Sequence, residues 1–504
     1  MIILGVSVSV LAVLIVGILV ARKVDGDSAN FLVAGRQLGV PLVAVSLTAA
    51  AVDSNAMVGN TDLTSQAGFW AGASLAIGLA ICLLLTGLFL AKPMNAMKLF
   101  TLGDFFRQRY GAVPEKVASV IMIFAFTILL AGNMVACGFL LERFAGIPYA
   151  FGVIVAVLLV LAYTVGGGLF SDAYTAAIQT TITIVATLAM LIWVALTFGI
   201  VIPEGMGPFD FEQLTSAEAG APINWATLIS LGIGDLVAID FMQRIFGARS
   251  PEVARRSCFI GAGLTFGIGV IYAIVALTVT AVLGLTTENG PILFQLLGDY
   301  APPLLAILVL SGIVAASFST ASGAILATSA IAVRNLFGVR RLVVTDGPDP
   351  LLRWTRLAMI PICLVGVIIA IRVSQTGILL TLAFDLMLAC LAGPFILGLF
   401  WRAGGAVAML AGVAVGFGLR TTLLVLTPTM YGVPNDLLYV PNSLGLEWLD
   451  GWSTLIAAAV AISTYVIIAL VRPRTEPEFA QEEAAVAELR AEEAQSEPVP
   501  APVS

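Results

Sequence analysis

Ala49-Ala50-Ala51-Val52-Asp53-Ser54-Asn55 stands inside an apolar run, 40–62, that is long enough to cross a bilayer. It sets a carboxylate, a hydroxyl and an amide where lipid would otherwise surround the chain. An ionisable group at mid-span costs about 2.5 to 3.5 kcal/mol on insertion scales, so a functional role is the default reading and the helix is expected to unwind here. A second interruption lies in 224–247, where Gly232-Ile233-Gly234-Asp235-Leu236-Val237-Ala238-Ile239-Asp240 places glycines just ahead of acids. If 40–62 is counted as the first of a series, 224–247 is its sixth member. Broken helices that open consecutive groups of five are expected of a five-plus-five inverted repeat with binding sites near the bilayer midplane.

A third polar interruption falls in 302–336, which reads Ser317-Phe318-Ser319-Thr320-Ala321-Ser322-Gly323 and then Thr328 and Ser329. Interhelical bonds between hydroxyls in a membrane return only about 0.6 to 2 kcal/mol, so stability alone motivates such a cluster weakly. Helix packing and an oxygen-lined ion path both remain open at this point.

Composition agrees with a polytopic membrane protein. Of 504 residues, 60% are hydrophobic and 11% charged, and the mean hydropathy is +1.04, which excludes a soluble globular enzyme. Continuous apolar runs fall at 2–21, 40–62, 70–92, 115–142, 150–168, 173–202, 224–247, 258–284, 302–336, 354–373, 377–400, 404–427 and 452–471. These predict an all-α protein with 13 transmembrane helices, because a barrel would need alternating strands instead. Basic residues follow the first run at Arg22, Lys23 and Arg36, which puts the N-terminus outside and the C-terminus in the cytoplasm. On that count only Arg143, Arg372 and Arg420 of the 24 Lys and Arg fall outside. The first run is read as a retained helix, since a signal peptide carries its charge ahead of the apolar stretch.

The organisation expected is a leading helix and first loop (1–39), a ten-helix core (40–400), two trailing helices (401–472) and an acidic, disordered cytoplasmic tail (473–504), helical at most around 482–494. Cys82, Cys137, Cys258, Cys363 and Cys390 lie within spans and show no metal-ligand spacing. Histidine is absent, so neither a Ser/His/Asp nor a Cys/His set can form. Gly166-Gly167-Gly168 is read as a tight turn, since no Lys-Ser or Lys-Thr follows it. Asp172 is read as an interfacial residue near a helix N-terminus, where the dipole favours an anion. Asp235, nearer the outer end of its helix, is given a structural role, and Asp385 is left between an interhelical hydrogen bond and a functional one.

Ala34-Gly35-Arg36, Thr101-Leu102-Gly103-Asp104-Phe105-Phe106-Arg107-Gln108-Arg109-Tyr110-Gly111, Tyr163-Thr164-Val165-Gly166-Gly167-Gly168-Leu169 with Gln179, and Ala315-Ala316-Ser317-Phe318-Ser319-Thr320-Ala321 together resemble the sodium:solute symporter family over most of 30–425. Gly87-Leu88-Phe89-Leu90-Ala91-Lys92-Pro93-Met94, Gln243-Arg244 and Gly405-Ala406-Val407-Ala408 resemble its high-affinity choline transporter branch. The resemblance implies the LeuT-type fold and a sodium ion held between the first and eighth core helices. The carbonyls of Ala49, Val52 and Ala316 and the hydroxyls of Ser319 and Thr320 would hold it, with Ser317 and Ser322 left to packing. A hard monovalent cation suits neutral oxygens of this kind. The aromatic cage of the choline branch is missing, because its positions carry Val52, Leu79 and Ala238. Ala176 stands where the family often has Asp.

The expected function is sodium-coupled symport of a small polar organic solute, possibly amine-bearing, by alternating access. The solute would be bound around Asp53, Asn55, Leu79, Ala238 and Asp240. A proton-coupled or uncoupled carrier of the same fold is the first alternative, and a transporter-like solute sensor the second. Sodium, a solute and the bilayer of the cell membrane are the expected partners, with no nucleic acid and no obligate protein partner.

Overall fold

The computed structural model describes residues 2–340, 349–435 and 438–494. Arg341 and Glu497, both used in the charge reading, lie outside the described residues. Among these residues the protein is helical, apart from a two-residue hairpin in which Thr429–Met430 pairs antiparallel with Val433–Pro434.

Ten helices are long and apolar enough to cross a membrane, and twelve if each of two bent pairs counts as one span. The expected thirteenth depends on Tyr149–Phe198. At 50 residues that helix would run about 75 Å, more than twice the hydrocarbon thickness. Its helical geometry breaks at Gly168 (φ 49°, ψ −140°). A Cβ there would also stand 2.3 Å from the Phe31 carbonyl, so glycine is required by both conformation and space. Dividing the helix at Gly168 gives the thirteen-span reading.

The two bent pairs are the interruptions singled out above. Val40–Ala51 ends at Val52 (φ −94°, ψ 82°), and Asn55–Ala67 resumes at an angle of 55°. Ala221–Val237 meets Ile239–Gly247 at 46°, through Ala238 in extended conformation. The hydroxyl-bearing helix, Pro303–Ile331, packs most extensively against Tyr149–Phe198 and next against Ala112–Ala145, so it runs through the centre of the bundle. Polarity is arranged inside out. Leu4, Ile15, Phe151, Leu196 and Ile467 are exposed, whereas Asp53, Asp172 and Arg244 are buried, as expected where lipid replaces water outside.

The tail is more ordered than expected: Glu476–Ala494 forms a helix that lies against the Leu102–Tyr110 helix, longer than the stretch 482–494 for which helix was allowed. Ion pairs explain the order. Arg107 meets Glu488 at 2.6 Å, Arg334 meets Glu492 at 2.7 Å, and Arg402 and Arg474 both hold Glu482. Acidic residues that would repel one another in solution are neutralised by the bundle's basic end. The tail beyond 494 lies outside the described residues.

Candidate ion and solute site

The five residues proposed for sodium lie together where the first broken span meets the hydroxyl helix. The last turn of Val40–Ala51 closes with the Val52 N–H on the Thr48 carbonyl. With the chain leaving helical geometry at Val52, the carbonyls of Ala49 and Ala50 accept instead from the Thr320 hydroxyl, at 3.2 Å each. Ala49, Val52 and Ala316 line a cavity of about 10 Å³ together with Thr48, Gln179, Thr180 and Thr183. Both side-chain amide atoms of Gln179, which lines the cavity, and Oγ of Ser319, the residue before Thr320, have no hydrogen-bond partner among the described residues. Orphaned neutral oxygens around a space of this size suit a small monovalent cation. Thr48 and Thr183 were not anticipated, and Gln179 entered only as part of a motif.

The solute-site residues form two separate groups. Asp53 Oδ1 accepts from the Ala56 N–H at 2.8 Å, and Oδ2 accepts from the amides of Asn55 at 2.6 Å and Asn133 at 2.9 Å. Asp53 thus caps the restarted helix, whose first N–H groups need an acceptor. Asp240 Oδ1 accepts from the Phe241 N–H at 2.8 Å, and its other oxygen lies 3.4 Å from Arg244 Nη1. Leu79 and Ala238 are buried, on a helix and a turn that pack together. Both acids therefore have partners, and no hydrogen bond joins them among the described residues.

Arg244 is the centre of a network that the sequence did not suggest. Its Nη2 stands 2.9 Å from Asp172 Oδ2, with both side chains 1% exposed, and its Nε donates to Ser46 at 2.8 Å. Asp172 also accepts from Ser322 at 2.6 Å. Asp172 is thus no interfacial residue, and Ser322 is more than a packing residue. Gly323 makes room for this, since a Cβ there would come within 2.8 Å of the guanidinium. The network ties the second broken span to the hydroxyl helix, one turn from Ser319 and Thr320. Asp385 has found an interhelical partner in Arg420, whose Nε lies at 2.6 Å.

Asp235 is the exception. It is 1% exposed, sits in the turn between the halves of the second broken span, and neither carboxylate oxygen has an N–H or hydroxyl donor among the described residues.

At the basic end of the bundle, Arg334 is fully buried and clamped from two sides. Its Nε donates to both Asp104 oxygens at 2.9 Å, and its two Nη atoms meet Glu492 at 2.7 and 2.8 Å. Burial pushes the Asp104 carboxyl up, but Arg334 and Arg340 outweigh it and hold it below its ordinary 3.8. The clamp fixes the far end of the helix that carries Ser319 and Thr320. At the opposite end, a cavity of about 260 Å³ is lined by Asp62, Leu63 and Gln66 from the second half of the first broken span.

A model of the sodium:solute symporter family matches residues 31–416. The chain belongs to the sodium:solute symporter family. The chain is 25% identical to the human "High affinity choline transporter 1" over 367 residues, 66% of the chain and 61% of that relative. It therefore spans about three fifths of the human protein. It is 24% identical to the "High-affinity proline transporter PutP" of Bacillus subtilis (strain 168) over 416 residues, 79% of the chain and 86% of the relative. Among solved structures it resembles a substrate-bound, outward-open Na+-coupled sialic acid symporter, with a TM-score of 0.72 at 17% identity, covering 94% of the chain and 98% of that structure. The symporter thus has the LeuT-type fold, and the two bent pairs are its broken helices. Its family consists of transporters, which are not enzymes.

Proposed function

We propose that this symporter imports a small polar organic solute across the cell membrane, driven by sodium and working by alternating access. Sodium is held by the carbonyls of Ala49, Val52 and Ala316 and the hydroxyls of Ser319 and Thr320, with Gln179 as a further neutral oxygen. The observation that carries this reading is Thr320 bonded to the exposed carbonyls at the first helix break, beside the unpartnered Ser319 and Gln179. An ion there ties the first broken span to the central helix, so it stabilises whichever conformation brings them together. That differential affinity is what drives a coupled cycle.

An amine-bearing solute is favoured, on different grounds from those the sequence offered. The charges of Asp53 and Asp240 are engaged by their own partners, whereas Asp235, at the second helix break, has no N–H or hydroxyl donor on either oxygen among the described residues and only the weakly donating Cys82 thiol beside it. The choline and proline transporters among the relatives carry cationic or amine-bearing solutes, in keeping with this preference.

The test is uptake into proteoliposomes under an imposed sodium gradient, with choline, proline, other amino acids and sugars as labelled candidates and potassium as the control cation. Uptake should require sodium and should be lost in the Ser319→Ala/Thr320→Ala variant. Equal uptake with potassium would remove sodium from the mechanism and leave the proton-coupled or uncoupled carrier. Solute binding without any flux would leave the sensor.

A further inference from the structure

A cavity of about 650 Å³ lies between the tail helix and the basic end of the bundle, away from the ion and solute site. It is walled by Lys98, Gln108, Arg109, Arg402, Glu482 and Arg490, over an apolar floor that includes Phe105 and Leu489. Four cationic side chains therefore face one carboxylate, and that carboxylate is already shared between Arg402 and Arg474. Lys98 and Arg490 have no hydrogen bond or ion pair from their side chains among the described residues.

Arg109 makes the site a built one. Its guanidinium is buried, 3% exposed, and it is held in place by carbonyls alone, with Nε donating to Gly398 at 2.8 Å and Nη2 to Gly404 at 3.1 Å. Nη1 has no partner among the described residues. Burial, aided by nearby Arg474, drives this guanidinium down from its ordinary value. A buried cation positioned by neutral groups, with one N–H edge unused, lacks a counter-ion.

We propose that this cavity binds a phosphate-bearing anion, with Arg109 Nη1 donating from within and Lys98 and Arg490 closing over it from either wall. Several uncompensated cations match a group that carries more than one negative charge. A guanidinium edge beside an ammonium is a usual way to hold phosphate oxygens. The apolar floor accommodates the rest of an amphiphile, so either a soluble phosphate or a lipid headgroup has the required chemistry. Because one wall is the tail helix, the bound anion would bridge the tail to the bundle and stabilise the fold by mass action.

Full-length protein in phosphatidylcholine nanodiscs, with and without phosphatidic acid, is followed by thermal unfolding while potassium pyrophosphate is titrated. Potassium chloride at matched ionic strength is the control. A saturable rise in Tm with pyrophosphate assigns the site to a soluble phosphate, and a rise only with phosphatidic acid assigns it to a headgroup. In either case Lys98→Gln/Arg490→Gln should weaken the response about tenfold or more, since charge-assisted hydrogen bonds are lost. Neither side chain makes a hydrogen bond or ion pair among the described residues, so the basal Tm of the double variant should be unchanged. No response in either lipid, a response that chloride reproduces, or one that persists in the double variant would overturn the proposal.

Discussion

Arg244 Nη2 lies 2.9 Å from Asp172 Oδ2 with both side chains 1% exposed, which fastens Ile239–Gly247, the second half of the second broken span, to the centre of the bundle. Removing one partner of a buried pair leaves the other charge uncompensated, at a cost of about 3 to 5 kcal/mol. Arg244→Gln and Asp172→Asn should each lower Tm markedly in detergent. The double variant should be more stable than the sum of the two single losses predicts. Additive losses would show that the residues do not act as a pair.

Thr320→Ser keeps the hydroxyl that meets Ala49 and Ala50, whereas Thr320→Ala removes it. The serine variant should retain the rise in Tm that sodium gives over potassium. The alanine variant should need roughly tenfold more sodium for half the rise, as expected when one ligand is lost. Gln179→Ala should act in the same direction, since Gln179 lines the same cavity. Unchanged sodium responses in both alanine variants would move the ion elsewhere.

Asp53 accepts from one backbone N–H and two side-chain amides. An Asn in its place keeps one acceptor oxygen but turns a donor toward Asn55 and Asn133. Asp53→Asn should therefore cost about 1 to 3 kcal/mol through unsatisfied groups, seen as a fall in Tm without solute. An unchanged Tm would return Asp53 to direct contact with solute.

Asp235 should behave in the opposite way. Its oxygens meet the weakly donating Cys82 thiol and no N–H or hydroxyl donor among the described residues, so an amide relieves a buried carboxylate at little cost in hydrogen bonding. Asp235→Asn should raise Tm in the absence of solute and weaken the protection given by an amine-bearing solute more than that given by a neutral one. A large fall in Tm would show that a bound cation resides there.

The clamp at Arg334 carries its own pH signature. Asp104 is held below its ordinary 3.8 in the folded protein, so its contribution is fully present above that value. The contribution is lost as pH falls through the lower folded value. The Tm difference between the protein and Asp104→Asn should be constant from about pH 5 upward and shrink below about pH 4. A difference that changes between pH 6 and 8 would place the responsible group elsewhere.

The fold was readable because its decisive signals are local. Val52-Asp53-Ser54 and Gly234-Asp235 interrupt apolar runs by composition alone, and their spacing gave the two broken helices. Of the residues proposed for sodium, Ala316, Ser319 and Thr320 fall in a family-like motif, whereas Ala49 and Val52 are marked only by the interruption at Asp53. Pairing across long separations was not. Nothing near Asp172 announces Arg244, and a lone acid at a span's end resembles an interfacial residue until the facing helix is in place. The partners of Asp53 and Asp240 were hidden for the same reason, since charge in a sequence says nothing of what compensates it. The docking of the tail helix was hidden in the same way, because the arginines that pair with its glutamates are scattered from Arg107 to Arg474.

Glu492 comes 158 residues after the arginine it clamps. At cellular synthesis rates, the helix carrying Ser319 and Thr320 is complete roughly 8 to 30 s before that clamp can form. During this interval Arg334 has only part of its carboxylate complement. The clamp can therefore close only after every span from Pro303–Leu336 to Trp452–Val471 has been synthesised.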